Sequence, residues 1–181
     1  MLGWPLRLSW NNFRPVPDPG PWQFRARNGH PIAAQVGLAI RFYPGNSPRR
    51  TDGTSFNDVD VRLETVSLQY VPSRIPQGQE ERYLRHEQGH YDLMGLFARE
   101  LEVALRALHG STADELTRLA RELVEEKIAG ARSYAVNVPG VDCQYDQDTN
   151  HGMNQRQQEV WNARIARNIA RASLPNFTFL W

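Results

Sequence analysis

The sequence lacks three features that would assign it to a special class of protein. Among 181 residues it has one cysteine, Cys143, so no internal disulfide can form. Its 21 Lys and Arg residues balance 20 Asp and Glu residues, which gives a net charge of +1 and no basic excess for binding nucleic acid. No apolar run approaches the roughly 18 residues that a membrane span requires. We therefore expect no nucleic-acid partner and no transmembrane helix.

The remaining features are those of a single globular domain, predicted to span residues 1–181. A chain with 40% hydrophobic and 23% charged residues can bury a core and fold alone. Proline and aromatic residues crowd residues 1–31, which disfavours a helix and predicts an extended, turn-broken segment. Nothing in the sequence indicates an oligomeric state.

Residues 32–75 predict a small sheet. Apolar residues alternate with polar ones from Ala34 and again from Val59, as in half-buried strands. The alternation changes parity after Thr65, which predicts either a bulge or two separate strands. A polar loop is predicted between the two alternating regions, at residues 44–58.

Residues 77–173 predict three helices. In the first, over residues 79–108, apolar residues recur every three or four positions. The second begins at a sequence that resembles a capping box and ends near Tyr134. A polar loop over residues 137–152 leads to the third. We therefore expect an α+β fold in which a small antiparallel or mixed sheet from the N-terminal half packs on three C-terminal helices.

One motif has a specific chemistry, the string HEQGH at residues 86–90. Histidines four residues apart lie one above the other on a helix, where both imidazoles can bind one Zn²⁺. Glu87 between them can reach a water on that metal. The alternative is that His86 and His90 are ordinary core or surface histidines, but both lie on the apolar stripe, where unpaired imidazoles are costly to bury. Gly89 predicts a close approach by a substrate or a strand, or simple packing against the sheet.

A catalytic zinc site needs a third protein ligand and an open position for water. His151 is the favoured candidate, because it lies in the polar string at residues 142–152, directly before the third predicted helix. His30, in an early loop, and Glu159, on the third helix, are the alternatives. His109 is excluded, since it is about 28 Å further along the first helix.

The same polar string has other interpretations. Asp146, Asp148 and Asn150 have the spacing of the first ligands of a calcium loop, but the glycine and glutamate positions of such a loop do not match. A turn rich in Asp and Asn that caps the third helix also fits. Beside a zinc ion, Asp146 or Asp148 would be the carboxylate that orients a ligand histidine, whereas Asp92 is predicted to point off the histidine face.

Two strings in the sequence carry a resemblance to a known family. HEQGHYDL, and YDQDTNHG followed by Gln157 and Trp161, resemble an uncharacterised bacterial family of predicted secreted zinc-dependent proteases. The opening at residues 8–13 and the strand that begins at Ala33 occur in the family's order. The resemblance therefore spans nearly the whole chain.

The resemblance implies a zincin-like peptidase with zinc on His86 and His90 and with Glu87 as the base, and it favours His151 as the third ligand. It also implies export across the inner membrane, to the periplasm or outside the cell. The first ten residues lack the apolar core of a signal peptide, so the residues themselves leave open a cytosolic chain or one whose leader has been removed.

The leading functional hypothesis is a zinc metallopeptidase that acts on protein or peptide, and the sheet edge could bind the substrate as an added strand. Glu87 takes a proton from zinc-bound water, which attacks the peptide carbonyl. Tyr145 is the candidate donor to the oxyanion, and the alternative is a packed aromatic with a satisfied hydroxyl. The alternative function is a non-catalytic zinc-binding or interaction module, which a fourth protein ligand would indicate.

Overall fold

The alternating apolar residues of the N-terminal half form a mixed sheet. The computed structural model describes residues 4–20, 32–44, 54–56, 59–137 and 141–179. Three strands of the described chain form the main sheet: β1 (Arg14–Pro15), β2 (Ala34–Pro44) and β4 (Val59–Tyr70). Strand β3 (Thr54–Ser55) is not part of this sheet. Strand β4 is central, because β2 pairs with it antiparallel and β1 pairs with it parallel.

The predicted change of parity is a bulge within a single strand. Gly37 of β2 pairs with Ser67 of β4, whereas the next residue, Leu38, pairs with Thr65. Val66 is therefore the extra residue, and 67% of its surface is exposed. The bulge keeps the apolar residues on both sides of it directed toward the core.

The described residues contain four α-helices, one more than predicted. They are α1 (Glu80–Ala107), α2 (Ala113–Tyr134), α3 (Gln144–Thr149) and α4 (Gln155–Arg171). Helix α3 lies within the string that we predicted to be a polar loop, so that prediction was wrong. A helix of six residues is too short to show an apolar period, and two of its three buried residues, Asp146 and Thr149, are polar.

Part of the predicted loop at residues 44–58 is also a strand. The short strand β3 pairs antiparallel with β5 (His109–Gly110), which directly follows α1. Residues 45–53, 57 and 58 lie outside the described part of the chain. The small β3–β5 ladder thus joins the region before β4 to the end of α1.

The core lies between the sheet and α1, which confirms the predicted α+β class. Leu96, Leu101 and Leu105 of α1 are fully buried, and Val61 of β4 is buried against the last two. Helix α4 contributes Trp161 to the neighbouring part of the core. None of the helices in the described ranges combines the length and hydrophobicity that crossing a bilayer requires.

The N-terminal segment packs along α1. The side-chain amide of Gln88 accepts a hydrogen bond from the backbone N–H of Leu8 (2.7 Å) and donates one to the carbonyl of Leu6 (3.0 Å). Trp4 lies against Gly95 and donates to Asp92. These contacts leave a cleft of about 530 Å³ beside the segment, lined in part by Leu6, Leu8 and Gln88.

A candidate metal site

Two helices bring the polar residues of the candidate site together. Helix α1 carries His86, Glu87 and His90, all of them buried. Helix α3 packs against it and presents Asp146, which is 2% exposed. The histidines are four residues apart on one helix, so their rings are neighbours, with centroids 4.9 Å apart.

His86, His90 and Asp146 form one cluster of possible metal ligands. The Nε2 atoms of His86 and His90 lie 2.8 Å and 3.0 Å from the same carboxylate oxygen, Oδ1 of Asp146. One ligand atom from each of the three residues lies within 4.8 Å of the other two. A tetrahedral zinc ion with bonds of about 2.0–2.1 Å separates its ligand atoms by about 3.3 Å, so the cluster has the right dimensions for a metal ion.

The other ring nitrogen of each histidine is held by a carbonyl oxygen. Nδ1 of His86 lies 3.0 Å from Oε1 of Gln158, and Nδ1 of His90 lies 2.8 Å from the backbone oxygen of Ala135. The amide nitrogen of Gln158 donates to Tyr145, so its oxygen faces His86. Because both partners are acceptors, Nδ1 carries the proton in each ring, and Nε2 directs a lone pair at the cluster when the ring is neutral.

The second oxygen of Asp146 has its own partners. Its Oδ2 accepts a hydrogen bond from Nδ2 of Asn137 (2.5 Å) and lies 3.4 Å from Nδ1 of His151. Asn137 is fixed in turn, because its Oδ1 accepts from the backbone N–H of Cys143 (2.7 Å). The carboxylate is therefore oriented with Oδ1 toward the two histidines of α1.

The electrostatics of the cluster follow from burial and from these contacts. Burial disfavours the charged form of His90, but the Asp146 carboxylate raises the pKa of His90 well above its ordinary value. Burial likewise opposes ionisation of Asp146, yet His90, His151 and His86 hold the pKa of Asp146 well below its ordinary value. The metal-free chain thus favours a carboxylate beside protonated imidazole, a pocket in which a cation is stabilised.

Glu87 lies beside the cluster without being part of it. Burial raises the pKa of its carboxyl group, and the neighbouring His90 and His86 limit the rise. Among the described residues no hydrogen bond or ion pair to its carboxylate is found, and its oxygens are not among the fully enclosed atoms that lack a partner. Glu87 is therefore a buried carboxyl group next to the cluster whose pKa is raised.

Tyr145 is held by contacts with residues of the cluster. Its ring stacks on the ring of His86, at 4.8 Å and with 8° between the planes. Its hydroxyl donates to the backbone oxygen of His86 (3.1 Å) and accepts from Gln158 (2.5 Å). The residue is fully buried and its hydroxyl is satisfied, as the alternative interpretation expects, and its role as an oxyanion donor stays a prediction.

The close approach predicted at Gly89 is made by Tyr145. A Cβ atom on residue 89 would overlap the Tyr145 hydroxyl and the ring carbon that carries it. The nearest atoms belong to α3 and not to the sheet. The glycine therefore allows α3 to approach α1 closely enough for Asp146 to reach the histidines.

The structure places the predicted third ligands differently from the sequence analysis. Asp146 contacts both histidines directly, whereas His151 contacts the outer oxygen of Asp146 and is outside the three-residue cluster. Glu159 is exposed on α4, and His109 is exposed in β5. His30 lies outside the described residues.

The structure also shows the contacts of the three aspartates named in the sequence analysis and tests the calcium-loop interpretation. Asp146 is in contact with the histidines, as expected of an orienting carboxylate, and it is itself one of the three possible ligands of the cluster. Asp148 accepts from the indole N–H of Trp161 (3.0 Å), and Asp92 accepts from Trp4 on the N-terminal segment. Asp146 and Asp148 lie within helix α3 and Asn150 ends it, so they do not form a calcium loop.

Gln158 and Asn137 were missed by the sequence analysis. Both act through their side-chain amides, which carry no pattern that distinguishes them from other polar residues. Gln158 had one weak signal, since it precedes the apolar Trp161 by three residues on the buried side of α4. Asn137 and Ala135 lie after the end of α2 and had none.

The comparisons with known proteins give no match. No protein-family model, no curated protein and no solved structure is significantly similar to this chain.

Proposed function

We propose that the chain is a zinc-dependent metallopeptidase in which His86, His90 and Asp146 hold the ion and Glu87 is the general base. One observation carries the proposal: two imidazole Nε2 atoms and one carboxylate oxygen converge within 4.8 Å, while the other ring nitrogens donate to carbonyl oxygens. In the metal-free chain a proton on imidazole offsets the charge of the carboxylate, and a metal ion bound by the same three atoms would take its place.

The donor set agrees with a zinc site that has an open position. Two imidazoles and a carboxylate are ligands that Zn²⁺ accepts, and within the described ranges the cluster offers three protein ligands, as in catalytic sites. A bound zinc ion supplies a Lewis acid that polarises a carbonyl group and makes water more acidic. Two histidines and one carboxylate also suit Fe²⁺, so the metal is identified by measurement.

The chain's own residues supply the proton transfers. Glu87 accepts a proton from the attacking water as the water oxygen bonds to the peptide carbonyl carbon. It then delivers that proton to the amine nitrogen as the carbon–nitrogen bond breaks. Its raised pKa makes it a stronger base than an exposed glutamate, and its lack of a fixed partner leaves it free for both transfers.

A second function is favoured by the burial of the cluster. His86, Asp146 and Glu87 are each no more than 5% exposed, which suits a metal that holds α1 and α3 together without catalysis. The zincin-like fold, a peptide substrate and export to the periplasm or beyond are further parts of the leading proposal. They are supported by the motif and by the resemblance of the two sequence strings.

The substitution Glu87→Gln separates the two functions. It keeps the size of the side chain and removes the base, so we expect one equivalent of zinc to remain bound and peptide hydrolysis to fall by about 10²–10⁴-fold. Metal content is measured by elemental analysis for zinc and iron, and hydrolysis with a mixed casein-derived peptide substrate. Equal hydrolysis by wild type and variant would contradict the assignment of Glu87, and a metal-loaded wild type without hydrolysis would favour the non-catalytic site.

A further inference from the structure

The loop after α3 has three consecutive residues in the left-handed region. The φ angles are 47° at Asn150, 52° at His151 and 77° at Gly152. Residues with a Cβ atom are uncommon there, and such positions cluster at functional sites. Gly152 is required for a second reason, because a Cβ atom on it would lie 3.0 Å from Cβ and Cγ of His86.

The left-handed backbone places His151 back against helix α3. Its N–H donates to the backbone oxygen of Asp146 (3.0 Å), and its ring nitrogen Nδ1 lies 3.4 Å from Oδ2 of the same residue. One residue of α3 is therefore contacted by both the main chain and the side chain of His151. The backbone hydrogen bond fixes the position of the His151 main chain beside Asp146.

The opposite side of the His151 ring faces a second carboxylate. Its Nε2 lies 3.5 Å from Oδ2 of Asp142. The side chain of His151 is 19% exposed and that of Asp142 is 14% exposed, whereas that of Asp146 is 2% exposed. The imidazole thus lies between two carboxylates, one of which belongs to the buried cluster.

We propose that Asp142 and His151 are a pair of positioning residues that hold Asp146 with Oδ1 directed at a metal ion. The inference rests on the metal site proposed above and assigns His151 to orienting a ligand instead of being one. Partners that hydrogen-bond to metal ligands are known to change metal affinity by 10–100-fold when they are removed. Because Asn137 also donates to Oδ2 of Asp146, loss of His151 should weaken the site without abolishing it.

The test compares metal affinity in variants of the full chain. His151→Gly removes the imidazole and suits the left-handed backbone, so strain does not contribute to the result. We expect the Kd for Zn²⁺, measured by competition with a chromophoric chelator, to rise about tenfold at unchanged stoichiometry. His151→Gln, which keeps a side-chain N–H donor, should recover most of the affinity. Asp142→Asn should raise the Kd by a few-fold, and His109→Ala, at an exposed site away from the cluster, should not change it.

A spectroscopic measurement separates positioning from a general effect on the fold. The absorption bands of bound Co²⁺ report ligand geometry, so we expect them to shift in His151→Gly and to return in His151→Gln. Wild-type affinity and an unchanged Co²⁺ spectrum in His151→Gly would overturn the inference. Complete loss of binding without rescue by glutamine would also overturn it, because His151 would then be a ligand. A wild-type chain that binds no metal would instead overturn the proposed function, and the inference with it.

Discussion

Asp146 connects the two histidines of α1 to Asn137, because each of its oxygens has a separate set of partners. Oδ1 faces the Nε2 atoms of His86 and His90, and Oδ2 accepts from Asn137. A carboxylate that is buried to this degree is stable only when it is paired and hydrogen-bonded. Its surroundings therefore both keep it charged and orient it.

At this scale the first prediction concerns the charge of Asp146. Asp146→Asn keeps the shape of the side chain but places an amide where a cation would bind. We expect the affinity for Zn²⁺ to fall by more than about 100-fold, beyond the effect of losing an outer partner. Chelator competition measures the change.

Asp148→Asn is the matched control for this prediction. Asp148 lies on the same short helix but bonds to Trp161 and Gln144, away from the histidines. Its substitution should leave the metal affinity within about threefold of wild type. Wild-type affinity in Asp146→Asn would show that the ion is held elsewhere.

At the scale of the elements, the contact between α1 and α3 depends on the absence of a side chain at Gly89. Tyr145 of α3 lies where a Cβ atom of Gly89 would be, and its hydroxyl bonds to the backbone of α1 at His86. Trp161 of α4 packs edge-on against the same tyrosine ring at 5.5 Å. The three helices therefore meet at Tyr145, directly behind the His86 ring.

Gly89→Ala should destabilise the fold although alanine is the better helix former. Its methyl group displaces the Tyr145 hydroxyl, which costs about 1–3 kcal/mol in packing and exceeds the gain of about 1 kcal/mol in helix propensity. Urea denaturation of the metal-free protein measures the change in the free energy of unfolding. Metal affinity should also fall, because the ring of Tyr145 stacks on the ring of His86.

Gly130→Ala is the control at the same scale. It also lies within a helix, but a Cβ atom there meets only the edge of the Phe97 ring, at 3.2 Å. We expect a change in the free energy of unfolding of less than about 1 kcal/mol and no change in metal affinity. A Gly89→Ala protein as stable as wild type would mean that α3 does not pack against α1 as described.

At the scale of the whole molecule, the site joins segments that are far apart in the chain. Asp146 follows His90 by 56 residues, and Gln158 follows His86 by 72. The unfolded chain does not hold these groups together, so a metal ion binds the native state preferentially. Such binding stabilises the native state by mass action, by about 2.7 kcal/mol when the free ion is at 100 times its Kd.

Metal removal should therefore lower the melting temperature. For a chain of this size, about 2.7 kcal/mol corresponds to a fall in Tm of roughly 5–10 °C. Differential scanning calorimetry with excess Zn²⁺ and with EDTA measures the difference. The His86→Ala protein should melt at the same temperature in both conditions, and an equal shift in that variant would indicate an ion bound at another place.

The regular elements could be predicted because each has a local pattern. The alternation from Ala34 and from Val59 predicts β2 and β4, and the period of three to four predicts α1 to within one residue at each end. A bulge is visible in the sequence because one extra residue reverses the alternation. The short strands β3 and β5 have two residues each, which is too few to show an alternation of apolar and polar residues.

The candidate site could be predicted only in part for a similar reason. The i, i+4 spacing on one helix brings His86 and His90 together whatever the rest of the fold does. The third candidate ligand depends on which of several polar residues after α2 faces the histidines. The local sequence of these residues does not distinguish them. His151 follows Asp146 by five residues, and the left-handed loop places it behind the carboxylate instead of beside the imidazoles.

Local chemistry in the chain was therefore enough to establish the α+β class, the positions of the long elements and a histidine pair with a glutamate between them. These depend on interactions over two to four residues, which any segment carries with it. The approach of α3 to α1 at Gly89, the contact of Asp146 with both histidines and the packing of Tyr145 required the folded chain. They depend on contacts between residues 45 to 72 positions apart, whose free energy exists only when the helices have packed.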